Sequence, residues 1–181
     1  MSDIISRLTL EGLRDAFQGA GYRVEVMSDP VANAEYLRSA TSGLAFDIRP
    51  GNRFAGQELG QQQGFADATL LAPLQVQGDL PLDVVNRWNA TRRFARLQLS
   101  QPFLVFCLDI CVAGGVTSGN LRAQIEIWDR LVQELIGYLR DELSKLAAAN
   151  RAGAPAAQPL VGNGEASNKL AAGQDRPATI Q

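Results

Sequence analysis

Hydrophobic positions change their spacing several times along this chain, and each change marks an element. Leu10, Leu13 and Phe17 recur at helical spacing, supported by Ala16 and Ala20. Thr9 precedes them as an N-cap, and Glu11 places an acid in the first turn, where the helix dipole favours it. Gly19 and Gly21 stop the helix. Tyr22-Arg23-Val24-Glu25-Val26 then alternates with period two, as a half-buried strand does. Asp29-Pro30 is a turn signal. Ala34–Thr41 and Leu44–Ile48 follow as a hairpin turning at Thr41-Ser42-Gly43, and Pro50-Gly51 ends it. Residues 51–64 are polar and glycine-rich around Gln61-Gln62-Gln63, which predicts a mobile surface loop or a distorted strand connection. A further strand pattern covers Ala68–Val76, where Pro73 points to an edge position.

The second half starts with a short helix over Leu80–Ala90, with Pro81 at its first position and Val84, Val85 and Trp88 on its apolar face. Phe94–Leu99 and Phe103–Val112 read as two antiparallel strands joined by Ser100-Gln101-Pro102. The second is apolar on both faces over most of its length, which predicts a central strand covered on both sides. Ala113-Gly114-Gly115-Val116 is a glycine turn, and Thr117, Ser118 or Asn120 caps a long helix running to about Ala147. Its main stripe is Leu121, Ile125, Trp128, Val132, Leu135, Leu139, Leu143 and Leu146, widened by Ile127, Leu131 and Tyr138. Glu126 with Arg130, and Asp141 with Lys145, are spaced as i,i+4 ion pairs. Beyond it, residues 148–181 are dominated by Ala, Gly, Pro, Gln and Asn, the composition of a disordered tail. The expectation is an α+β domain over 1–147. It holds an antiparallel sheet of about five strands with helices packed against it, in the order α-β-β-β-α-β-β-α.

Composition narrows the chemistry. The chain carries 17 basic and 19 acidic residues for a net charge of −2, so it offers no general attraction for nucleic acid. It has no histidine. That excludes a Ser-His-Asp triad, a Cys-His pair, a His-ligated metal and a histidine pH switch. Lys145 and Lys169 are its only lysines. Cys107 and Cys111 fall in one strand, about 13 Å apart at roughly 3.3 Å per residue. Disulfide geometry needs Cα atoms within about 7 Å, so the pair reads as two small core side chains. The longest apolar stretch, Phe103–Val112, is far short of the roughly 20 residues of a membrane helix. The N-terminal residues lack the charged and apolar regions of a secretory signal, so the expected address is cytoplasmic, with no membrane partner.

Candidate sites are few. Asn86-Arg87-Trp88-Asn89 stands where a helix hands over to a strand, either as a recognition surface or with Trp88 in the core and the asparagines capping backbone. Arg87, Arg92, Arg93 and Arg96 form a positive cluster, suited to phosphates, an anionic ligand or an acidic peptide, or simply solvated and ion-paired. Gly114-Gly115-Val116-Thr117 lacks the ending of a phosphate-binding loop and is explained by a tight turn. Asp109, alone in an apolar strand, either faces a partner or accepts hydrogen bonds from an arginine such as Arg96. Residues 118–146 extend roughly 43 Å as a helix, against a radius of gyration of about 14–15 Å for a domain of this size. Part of the helix's broad stripe is therefore expected to be buried in a homodimer or against a client protein.

Three patterns together resemble the YbjN family of candidate bacterial sensory transduction regulators. They are the run Asn86–Ala95, the apolar strand Phe103–Val112, and Gly114–Thr117 entering the last helix. The resemblance covers roughly residues 9–146. It implies a fold similar to the type III secretion chaperones, which are usually homodimers that bind segments of other proteins, and it implies no enzymatic reaction. The expected function is thus a non-catalytic regulatory or chaperone-like domain that binds another protein without a cofactor or metal. The candidate contact residues are Arg87, Trp88, Asn89, Arg92, Arg93, Asp109, Ile127, Leu131 and Tyr138. The alternative is a sensor holding a small metabolite between sheet and helix; an enzyme using carboxylates alone is the third reading.

Overall fold

A computed structural model describes residues 3–54 and 63–153. In chain order the elements are β1 (Ile4–Ile5), α1 (Leu10–Gly19), β2 (Glu25–Asp29), β3 (Ala34–Thr41), β4 (Leu44–Pro50) and β5 (Asp67–Gln75). They continue with α2 (Leu82–Thr91), β6 (Ala95–Ser100), β7 (Phe103–Cys111), β8 (Val116–Thr117) and α3 (Ser118–Gly153). The main sheet is antiparallel with six strands in the order β2-β3-β4-β5-β7-β6, and β1 pairs with β8 in a small second sheet. The α+β architecture is the expected one.

The local signals explain the boundaries. The hydroxyl of Thr9 accepts a hydrogen bond from the Gly12 N–H and starts α1. Ser42 and Gly43 both take positive φ, 50° and 80°, as a two-residue hairpin turn between paired Thr41 and Leu44 requires. Thr117 is the residue that caps α3, accepting from the Asn120 N–H. Gly115 sits at φ 89°, and a Cβ there would stand 2.9 Å from Ile4, so the turn before α3 needs glycine.

Five expectations need correction. The six strands of the main sheet answer the six strand patterns read along the chain. The hairpin from β2 to β3 forms where the Asp29 carboxylate accepts from the Val31 and Ala32 N–H groups, turning the chain there. That places β2 three residues later than the alternating run Tyr22–Val26. Pro73 is not on an edge strand, since β5 lies between β4 and β7. However, pairing with β4 covers only Ala68–Leu71, so β5 is paired on one side alone at Pro73. β7 is not covered on both sides: Leu104, Phe106, Leu108 and Ile110 are buried, while Phe103, Asp109 and Cys111 on the other face are exposed. Cys111 is therefore exposed and not a core residue, while Cys107 is buried, though on the open face. The helix α3 continues past Ala147 to Gly153, into the segment expected to be a tail. Of the loop expected over residues 51–64, residues 55–62 lie outside the described residues, as do residues 154–181 of the tail.

The three helices share one face of the sheet. Leu13 and Phe17 of α1, Val84, Val85 and Trp88 of α2, and Leu121 through Leu135 of α3 close the core over Phe46, Leu70 and Phe106. Phe106 stacks on Trp128, and Trp88 meets Phe106 edge-on. The main stripe of α3 is enclosed as far as Leu135. Leu139 and Leu146 are half-buried and Leu143 is exposed. The widening residues are mostly used inside the chain, with Leu131 buried and the Tyr138 hydroxyl donating to the Val84 carbonyl. The other face of the sheet is open, and there Asp47 lies under Arg38 and Arg49.

Candidate functional site

The connection from α2 to β6 holds the one aromatic residue with positive φ among the described residues. The Thr91 hydroxyl donates back to the Arg87 carbonyl, and the Arg92 N–H donates to the Trp88 carbonyl in the last helical bond. The Ala95 N–H then donates to the Arg93 carbonyl at 2.9 Å, closing a three-residue turn around Phe94. Phe94 has φ 73°. This is the strained form of the γ-turn, and for a bulky aromatic residue the conformation is an outlier. The turn holds the Phe94 ring outward, 71% exposed.

Beside that ring lies a groove of about 390 Å³ between the α2–β6 connection and one face of α3. Arg92, Arg93 and Phe94 form one wall; Ile127, Arg130, Leu131 and Glu134 form the other. The helix contributes these four at i, i+3, i+4 and i+7, a single face. Leu131 is 7% exposed and Ile127 is half-buried, so the floor is apolar. Three arginines stand against one glutamate. Arg92 is held by Glu134 at 3.8 Å, with its guanidinium 5.2 Å from the Trp88 ring centroid and 5.7 Å from that of Tyr138. Arg93 and Arg130 have no ion pair among the described residues.

Four of the nine candidates, Arg92, Arg93, Ile127 and Leu131, thus meet in one groove. Four others form the scaffold behind it. Trp88 is fully buried. Arg87 reaches both carboxylate oxygens of Glu142, at 3.2 and 3.0 Å, and Lys145 joins them at 2.7 Å. The Lys145 hydrogen bond holds the Glu142 carboxyl below its ordinary value, against the opposing pull of desolvation and with the help of Arg87. Desolvation and the Glu142 charge push the Tyr138 hydroxyl up. Asn89 bonds β6 from the side: its amide donates to the Leu97 carbonyl at 3.0 Å and accepts from the Leu97 N–H at 2.9 Å. Since β6 is an edge strand, Asn89 fills the place of a strand partner at its midpoint.

The ninth candidate, Asp109, belongs to the open face, away from the groove. It accepts from Arg96 at 2.6 Å and from Thr69 at 2.8 Å, which explains a carboxylate in an apolar strand. Partial burial pulls its pKa up, but these two bonds outweigh that and leave it lowered.

Sequence reasoning missed Phe94, Arg130 and Glu134. Phe94 reads as the first residue of a strand, where an aromatic side chain is expected in the core. Arg130 reads as the i,i+4 partner of Glu126. In the structure Glu126 pairs with Arg122 at 3.1 Å, one turn the other way, and Arg130 is left to the groove. Lys145 likewise turns to Glu142 instead of Asp141. The signal available in the sequence was the position of Phe94 between a helix stop and a strand start.

A larger hollow of about 820 Å³ lies elsewhere, between α1, the β2–β3 hairpin and the residues flanking 55–62, with Arg14, Glu35 and Arg53 in its walls. Among the described residues, no three Cys, Asp or Glu side chains converge as metal ligands would. No helix among them is long and apolar enough to cross a membrane.

These observations define an α+β domain on one antiparallel sheet, whose buried acids Asp47 and Glu142 are both paired with arginine and whose groove mixes apolar and cationic side chains. The model of the YbjN family, described as "Putative bacterial sensory transduction regulator", matches residues 9–141. The chain belongs to the YbjN family. Comparison with curated proteins and with solved structures found no match.

Proposed function

We propose that this YbjN-family domain regulates by binding another protein, and that the partner docks in the groove beside Phe94. One observation carries the reading. A strained turn costs on the order of 1–3 kcal/mol and holds an apolar ring in water, so folding gains nothing from it; such outliers concentrate where a surface is used. The apolar lining beside the ring gives a partner side chain somewhere to go. Sheet-edge addition is less favoured at β6, because Asn89 already occupies Leu97.

The test is co-purification from cells of the source with wild type, Phe94→Gly and Arg93→Glu side by side. A protein recovered in stoichiometric amount by wild type and lost from both variants supports the reading. Equal recovery by all three contradicts it.

A second reading has its own observation. The hollow beside α1 has the volume of a small-molecule site and lies between sheet and helix. A metabolite that raises the melting temperature of wild type, but not of Arg14→Ala, would favour a ligand sensor.

A further inference from the structure

Resting on the groove as the docking site, we infer that its occupant is an acidic segment of a partner protein that carries an apolar anchor. The groove offers two kinds of contact. Ile127 and Leu131 add apolar lining to that of the Phe94 ring, which suits one or two aliphatic or aromatic side chains. Arg93 and Arg130 stand on opposite walls with no ion pair among the described residues, while Arg92 is already engaged by Glu134, Trp88 and Tyr138. Any segment that seats on the floor displaces water from both free guanidinium groups. A basic or neutral segment leaves them desolvated and unpaired, and an acidic one pairs them. The preference is local, because the whole chain is net negative at −2.

Other occupants fit less well. Single-stranded nucleic acid is gripped by a charged track with several stacking aromatics, and this groove has one exposed ring. Residues 154–181 of this chain carry Glu165 and Asp175 against Lys169 and Arg176, so they offer no net charge to complement.

The experiment is a display selection from a random peptide library on the full chain, followed by affinities of the selected peptides for the variants. Arg93→Glu/Arg130→Glu changes two exposed side chains with no ion pair among the described residues, and Phe94→Gly keeps the turn while removing the ring, so both variants should fold. The expected peptides are rich in Asp and Glu around an aliphatic or aromatic residue. They bind more weakly as salt rises, lose binding to Phe94→Gly, and bind about tenfold or more weakly to the double arginine variant. Peptides that depend on Phe94 but show no acidic bias overturn the inference and leave the groove standing. Peptides indifferent to Phe94→Gly overturn the groove and the inference together, and an empty selection overturns the inference.

Discussion

Phe94 combines a left-handed backbone with a ring in solvent, and each has a stability consequence. The left-handed conformation costs a residue with a Cβ roughly 1–2 kcal/mol, and glycine escapes that cost while adding up to about 1 kcal/mol of unfolded-chain freedom. Phe94→Gly should therefore match wild type or exceed it by about 1 kcal/mol in urea unfolding. An enclosed phenylalanine behaves otherwise, and Phe106→Ala, at the centre of the core, should lose about 3–5 kcal/mol in the same assay. A clear loss of stability in Phe94→Gly would mean that the ring has a structural partner. Some single residues could be placed from the sequence alone. Thr9 follows from helix capping, while for Trp88 and Asp109 the sequence left a contact role beside the core position and the Arg96 pairing that the structure shows. Phe94 could not, because an aromatic residue at a strand start has the core as its default place.

At the scale of elements, two of the polar contacts that attach α2 to its neighbours carry predictions. Asn89 closes the edge of β6. Asn89→Ala removes a donor and an acceptor from Leu97 and should cost about 1–3 kcal/mol. It should also raise self-association at high concentration, since an open edge is a template for pairing; light scattering reads this. The second contact is Glu142 between Arg87 and Lys145, which binds α3 to α2. Its carboxyl is depressed in the folded chain, so the unfolded chain takes up the proton first as pH falls. The stabilisation is present above the ordinary glutamate value and is lost as pH drops through it toward the folded one. Glu142→Gln should give a lower urea midpoint at neutral pH and a flatter decline on the acid side than wild type. The elements were legible wherever a short-range signal set them, as in the Ser42–Gly43 hairpin and the helix α1. The hairpin around Asp29 was less legible, because a side-chain bond to two backbone N–H groups sets where β2 ends. The one-sided cover of β7 was hidden too. Cys107 is apolar and buried on the open face because Arg96 stands directly across from it, so burial there does not mean a second helix layer.

At the scale of the molecule, the groove was illegible because it is a long-range product. The turn at Arg93–Phe94 and the face Ile127–Glu134 meet only after α2, β6 and α3 have packed, and no local period announces that meeting. The antiparallel sheet under helices was legible, because the alternation of strand and helix signals along the chain sets the layer arrangement. The homodimer expected from the long helix now has a narrower basis, namely Leu143 with the half-buried Leu139 and Leu146. If that stripe pairs two copies, light scattering at micromolar concentration should give twice the subunit mass for wild type and the single mass for Leu143→Glu. A monomeric wild type removes the expectation.

Chemical-shift mapping of the full chain with a bound partner segment locates the docking surface directly. With the partner docked beside Phe94, the largest amide shifts fall at Arg92–Ala95 and along Ile127–Glu134, while the hollow beside α1 and the open sheet face stay still. Shifts centred on Arg14, Glu35 and Arg53, or spread over Arg38 and Arg49, would contradict that placement.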